Sequence, residues 1–295
     1  MTTQPAFAEL PSRALIRVGG EDWRGFLHNL LTQNVETLEP GEARFAALLT
    51  PQGRLLWDMF VVGRDEGAWL DVAREHRDGI VQRLSMYRLR AKVGIAPDEA
   101  AVSAVFEAPP RSAEILHRAA GEVDRAERET EGAFCPDPRL PELGLRGYGA
   151  KPPAGAAIVD EEAYEAHRLA LGVPGPADWG SDRTYPIEAN FDLLGGIDFK
   201  KGCFVGQETT SRMKRRGQVK TRMLPIAFNG APPVPGAEVL NGTLRAGEVR
   251  FGLAGRAIAL LRLDRIAGDL EVDGRPVRVN RPGWMADALA DLTLT

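Results

Sequence analysis

The chain is poor in cysteine: among 295 residues only Cys135 and Cys203 occur, far apart and in no C-x-x-C pair. That scarcity argues against a disulfide framework and against a metal site built entirely from this chain. Long apolar runs are also missing. The longest, residues 253–261, is broken by Gly255 and Arg256 and is too short to cross a bilayer. Residues 1–10 hold neither an apolar core nor an Arg/Ser-rich amphipathic stretch, so no targeting segment is read there. The expectation is a cytoplasmic protein without membrane contact. The sequence contains no G-x-x-x-x-G-K-[ST], no strand-following G-x-G-x-x-G, no H-E-x-x-H and no G-x-S-x-G. Nucleotide hydrolysis, zinc proteolysis and serine hydrolysis are therefore unsupported. The histidines His28, His76, His117 and His167 lack mutual ligand spacing and read as surface or core residues. A net charge of −4 argues against a protein organised around nucleic-acid phosphates, while leaving room for a local basic site.

What is present is an ordinary globular composition, 44% hydrophobic and 26% charged, in a chain long enough for one large or two ordinary domains with real cores. Residues 13–18 read as a strand closed by Gly19-Gly20. Trp23, Phe26, Leu27, Leu30 and Leu31 follow at helical spacing, with Asp22 available as a cap. Strands are expected at 44–49, 54–62 and 68–72, a helix carrying Ile80, Val81, Leu84 and Tyr87, and a strand at 91–95. The order β-α-β-β-β-α-β is a ferredoxin-like pattern with one extra hairpin strand. Further on, 101–106 reads as a strand, 112–117 as the start of a helical patch, 135–141 as proline-rich loop and 161–171 as a helix stopped by Gly172 and Pro174. Beyond Arg222 the character is all-β, punctuated by Asn241-Gly242 and Asp273-Gly274, which are strong hairpin signals. A small barrel is expected over 221–295, after an α+β region over 1–220 with sub-units of about 1–100 and 101–220.

The most informative stretch is Lys200-Lys201-Gly202-Cys203-Phe204-Val205-Gly206-Gln207-Glu208. Its glycines free the backbone to turn and open an approach to the sulfur. From Gln207 the chain reads as helix, so Cys203 precedes a helix N-terminus, and two lysines stand just before it. Ammonium groups and a helix dipole both favour thiolate, which suits a nucleophile or a soft-metal ligand. A small buried residue in a glycine-rich turn is the competing reading.

The string Lys201-Gly202-Cys203-Phe204-Val205-Gly206-Gln207-Glu208 resembles the K-G-C-[YF]-x-G-Q-E signature of YgfZ-type proteins, which are similar to the glycine-cleavage T-protein. Four more stretches resemble the family in the same order: residues 26–35, 49–54, 87–93 and 217–222. The resemblance implies an α+β fold, a GcvT-like multidomain ring with ferredoxin-like N-terminal units and a C-terminal β-barrel. It also implies a central cavity of folate-binding type, for which Asn34, Asp58, Arg90 and Glu188 are the candidates. Arg88, Arg90 and Lys92 are expected to alternate along one strand, facing that cavity or solvent. Trp57 and Asp58 point to opposite strand faces, with Asp58 placed on the polar side as a catalytic candidate beside Cys203.

Two departures set the branch. Where the T-protein carries G-G-x-x-D-D, this chain has Gly53-Arg54-Leu55-Leu56-Trp57-Asp58, with one acid left, which leaves aminomethyl transfer in doubt. Where folate binders carry R-x-E-x-G, this chain has Arg168-Leu169-Ala170-Leu171-Gly172, and an alanine cannot accept the hydrogen bonds a pterin offers. Tetrahydrofolate as a cofactor is weakened accordingly. Residues 167–174 and 186–192 resemble instead the iron–sulfur assembly branch. That branch implies a cluster held transiently by the Cys203 thiolate together with an A-type scaffold partner, since a cluster wants four ligands. In this reading Lys201, Gly202, Gly206, Gln207 and Glu208 shape the loop. The alternatives are a tetrahydrofolate-dependent one-carbon enzyme and a tRNA-modification accessory protein. Arg212, Arg215 and Arg216 share a helix face and form an anion-binding candidate, with a solvated basic helix as the competing reading. No aromatic residues interleave with them to stack bases, which argues against RNA.

Overall fold

Strand and helix order at the N-terminus follows the expected alternation. The structure, a computed structural model, describes residues 4–106, 132–216, 219–253 and 255–290. Its elements up to the middle of the chain are β1 (Ala6–Glu9), β2 (Arg13–Gly19), α1 (Trp23–Leu30), β3 (Ala43–Leu49), β4 (Leu55–Arg64), β5 (Gly67–Ala73), α2 (Arg77–Arg88) and β6 (Gly94–Asp98). There follow β7 (Val102–Phe106), β8 (Ala133–Pro136), β9 (Leu145–Tyr148), β10 (Ala157–Val159), α3 (Glu161–Ala170) and α4 (Pro176–Trp179). The contacts divide the chain into two units. The first is Met1–Leu48, Trp57–Tyr164 and Leu194–Val205; the second is Leu49–Leu56, Glu165–Leu193 and Gly206–Thr295.

In the first unit, one five-stranded sheet has the order β3-β4-β5-β2-β6, with β2 antiparallel to both β5 and β6. This is the ferredoxin-like arrangement with an added strand. The second sheet has the order β10-β1-β7-β9-β8. The cores form because β-branched and aliphatic residues fill the inner faces: Leu15, Ile16, Val18, Val61, Leu70 and Val72 are fully buried or nearly so.

In the second unit, α5 (Gln207–Arg216) precedes β11 (Thr221–Phe228), β12 (Glu238–Asn241), β13 (Leu244–Leu253), β14 (Arg256–Arg262), β15 (Leu270–Val272) and β16 (Arg275–Val279), and α6 (Ala286–Leu289) follows them. The six strands close as β11-β14-β13-β12-β15-β16, with β16 returning to β11 through Ile226 opposite Val279. Closure leaves no strand edge exposed. Leu224, Ile226, Val239, Val249, Ala259 and Leu261 fill its core. At the β15–β16 hairpin, Asp273 and Gly274 both take positive φ, 51° and 70°, as a two-residue I′ turn requires.

Three local expectations are corrected. Asp22 makes no side-chain cap to α1; its carboxylate accepts the Lys92 N–H at 2.7 Å instead. Residues 135 and 136 end strand β8 rather than opening a loop, because β8 is a sheet edge, where proline costs no ladder hydrogen bond. Arg88, Arg90 and Lys92 do not share a strand: Arg88 ends α2, and Arg90 and Lys92 lie exposed in the turn before β6. Three charges spaced by two fit a strand face equally well, and the helix reaching to Arg88 decides against it. The helical patch expected at 112–117 lies outside the described residues.

Candidate functional site: an exposed cysteine loop and a buried ion cluster

Cys203 is exposed and free. The loop carrying it is shaped by Asp198, whose Oδ1 accepts the N–H groups of Lys200 at 2.8 Å and Lys201 at 3.2 Å. Lys201 then turns inward and is 8% exposed. Its Nζ donates to the carbonyl oxygens of His28 and Leu31, the latter at 2.6 Å, at the C-terminal end of α1. A cation is favoured there because the last carbonyls of a helix lack partners within it. The same Nζ stands 5.0 Å from the centre of the Phe204 ring, which is buried. Burial pulls the Lys201 ammonium down to about 8, against the pull of Asp198, Glu36 and Cys203. The two lysines before the sulfur are thus unequal: Lys200 is exposed, and Lys201 is committed to α1.

Gly206, with φ of +81°, shows why glycine is needed in the second unit: a Cβ there would lie 2.6 Å from the Thr50 carbonyl oxygen and 2.9 Å from the Gly53 Cα. Gly53 is equally tight, since a Cβ on it would lie 3.0 Å from the Gly206 oxygen. The Thr50–Gly53 turn, closed by Gly53 N–H to Thr50 O at 2.8 Å, therefore fits against Gly206 backbone to backbone. Gln207 begins α5, and Glu208 is exposed and pairs with Arg212 one turn on. Of the anion-binding candidates, Arg212 is thus engaged by Glu208 and Arg215 Nε donates to the Ser211 carbonyl at 3.4 Å. The side chain of Arg216 lies outside the described residues.

Asp58 belongs to a different centre in the first unit. Three guanidiniums (Arg13, Arg139, Arg146) and three carboxylates (Asp58, Asp71, Asp137) are buried together with Tyr148 and Tyr164. Arg13 Nε meets Asp71 at 2.6 Å and its Nη1 lies 3.6 Å from Asp58. Arg139 grips Asp137 at 2.7 and 2.9 Å, and Arg139 and Arg146 both donate to the Tyr164 hydroxyl, at 3.1 and 3.0 Å. The Phe60 ring centre lies 5.6, 5.0 and 4.8 Å from the guanidinium carbons of Arg13, Arg139 and Arg146. Burial raises the Asp58 carboxyl, only partly offset by Arg13 and Arg139. Asp137 is held low because Arg139 and Arg146 outweigh its burial. Trp57, on the other strand face, packs toward His76 with ring centres 6.4 Å apart. This cluster was not read from the sequence, since its members are single residues scattered over four strands, a helix and a loop.

The remaining cavity candidates serve local structure. Asn34 Oδ1 accepts the Glu36 N–H at 3.0 Å, an Asx-type turn. Glu188 accepts the Tyr185 N–H at 3.0 Å and bonds the Thr221 hydroxyl. Arg90 stands exposed beside Leu89, whose φ is 45°. His28 is the residue that motif reading passed over. It is buried at the end of α1, against the loop of Gly202.

With this geometry described, the chain can be placed. Its fold is that of the glycine-cleavage aminomethyltransferases: the crystal structure of aminomethyltransferase T from Bartonella henselae superposes with a TM-score of 0.77 at 16% identity, covering 96% of this chain and 87% of that one. Residues 220–287 match the family described as CAF17, C-terminal beta-barrel domain. Within that class, the human iron-sulfur cluster assembly factor IBA57, mitochondrial, is 31% identical over 288 residues, 89% of this chain and 79% of the relative. The Neurospora crassa homologue is 31% identical over 247 residues, which is 76% of this chain but only 54% of that longer protein. The chain belongs to the IBA57 family of iron–sulfur cluster assembly factors. The expectation of a cytoplasmic protein is corrected by these relatives, which are mitochondrial. No helix among the described residues is long and apolar enough to cross a membrane.

Proposed function

We propose that this chain works in iron–sulfur cluster assembly, and that Cys203 supplies a thiolate to a cluster in transit whose other ligands come from an A-type scaffold protein. The observation that carries the reading is the accessibility of this one sulfur: Cys203 is exposed in a glycine-flanked loop, whereas Cys135 is buried. Thiolate is the soft donor that iron–sulfur clusters require, and a cluster needs four such positions. Among the described residues no group of three or more His, Cys, Asp or Glu side chains is placed to hold a metal, so the cluster as cargo would need donors from outside the chain. Family membership supports the same role.

The cysteine is taken as the working centre in preference to a pterin pocket. Ala170 offers no carboxylate, and the Glu188 carboxylate is already engaged by Tyr185 and Thr221. The test is to mix the full chain with an A-type scaffold loaded with a [2Fe–2S] cluster. The visible spectrum is expected to change with wild-type protein and not with Cys203→Ser; identical spectra for the two would overturn the proposal. Calorimetry with tetrahydrofolate probes the one-carbon alternative, which micromolar binding surviving Cys203→Ser would favour.

A further inference from the structure

His28 is 7% exposed at the C-terminal end of α1. Its Nδ1 accepts the backbone N–H of Val35 at 3.4 Å. A neutral imidazole whose Nδ1 accepts carries its proton on Nε2, so that edge is a donor. Among the described residues Nε2 has no hydrogen-bond partner. It faces the cysteine loop: a Cβ built on Gly202 would stand 4.0 Å from Nε2. Because residue 202 is glycine, no side chain at that position screens the imidazole edge, and the next residue is Cys203. That edge is therefore available to donate to a sulfur brought onto it.

We propose that His28 is a positioning residue for Cys203, its Nε2–H donating a hydrogen bond to the Cys203 sulfur and orienting the thiolate to receive its cargo. The inference rests on the reading of Cys203 as the working thiol. The imidazole acts as a donor and not as a further metal ligand. Ligation through Nε2 would move the proton to Nδ1, where it would point at the Val35 N–H, donor against donor. The charged groups around the site do not duplicate this contact. The Lys201 ammonium is bound to the carbonyls of His28 and Leu31, Asp198 holds the loop N–H groups of Lys200 and Lys201, and Glu36 acts on Lys201.

The test uses the full chain labelled with 15N at histidine. Long-range 1H–15N spectra resolve the tautomers of His28, His76, His117 and His167, assigned by single substitutions. His28 is expected as the Nε2–H tautomer, and Cys203→Ala, a change at an exposed position, is expected to move its Nε2 resonance and leave the other three in place. A Nδ1–H tautomer, or a resonance indifferent to Cys203→Ala, would overturn the proposal. A second measurement follows alkylation of Cys203 by iodoacetamide at one fixed pH. His28→Asn keeps an acceptor for Val35 but cannot reach the loop, and is expected to slow the reaction about threefold. That figure is the net of a better-stabilised thiolate and its lower intrinsic nucleophilicity. His28→Gln restores a donor near the Nε2 position and is expected to recover the wild-type rate. Equal rates for the Asn and Gln variants would reduce His28 to a structural role. Neither measurement involves a cluster, so failure here is distinct from failure of the scaffold experiment.

Discussion

The two cysteines of this chain occupy opposite settings. Cys135 lies in edge strand β8, 3% exposed, beside Asp137, Asp71 and Arg146. Burial, with the two carboxylates adding to it, pushes its thiol up to about 12. Cys203 is exposed in a loop whose neighbours are glycine and phenylalanine. The difference teaches that the residue type says little about chemistry until the surroundings are known. A cysteine among buried carboxylates is an inert filler, and one on a glycine loop is open to reagents.

The comparison is broken most directly with an alkylating reagent. In the native chain at pH 7.5, peptide mapping after iodoacetamide should find Cys203 modified and Cys135 at least about a thousandfold slower, from its raised pKa and its burial together. Unfolding in urea should bring the two within about tenfold. The ion cluster beside Cys135 should be costly to open: Asp71→Ala leaves Arg13 and Arg146 short of a counter-charge and is expected to lower unfolding stability by about 3–5 kcal/mol in urea titrations.

A smaller effect comes from Asp178 in the second unit, buried against Arg168 at 2.9 Å and raised to about 6, chiefly by burial. A carboxyl raised above its unfolded value of 3.8 binds a proton more tightly when folded. Its contribution is therefore complete at low pH and is lost as pH climbs through about 6. Asp178→Asn should remove about 2 kcal/mol of that slope between pH 4 and pH 6.5, read from urea midpoints. Cys135→Ala should cost about 1 kcal/mol through the small cavity it leaves, and Cys203→Ala should stay within about 0.5 kcal/mol. Least of all, Arg212→Ala on the exposed face of α5 should change stability by less than about 0.5 kcal/mol, since its pair with Glu208 is solvated.

Much of the fold was legible because local patterning and tertiary packing agree. Strands β2, β4 and β5 carry continuous apolar stretches that the sheet buries, and the Asp273-Gly274 turn states its geometry in two residues. The glycine loop was legible for a similar reason, since Gly206 and Gly53 are demanded by backbone contact. Legibility failed where meaning depends on partners distant in the chain. Arg13 finds Asp71, 58 residues on, and nothing around either residue announces the pair. The inward turn of Lys201 was hidden too, because its acceptors are backbone carbonyls, which every residue possesses. Arg88, Arg90 and Lys92 show the limit of periodicity itself: a spacing of two suits a strand, yet a helix end and a turn produce it as readily.

The clasp between Lys201 and the end of α1 also bears on how the protein is made. The carbonyl of Leu31 and the ammonium that satisfies it are 170 residues apart. On a ribosome the first helix emerges early and must wait, its final oxygens bonded to water, until nearly the whole first unit has been synthesised. The cysteine loop therefore gains its native footing late in synthesis, after every strand of the first unit has emerged.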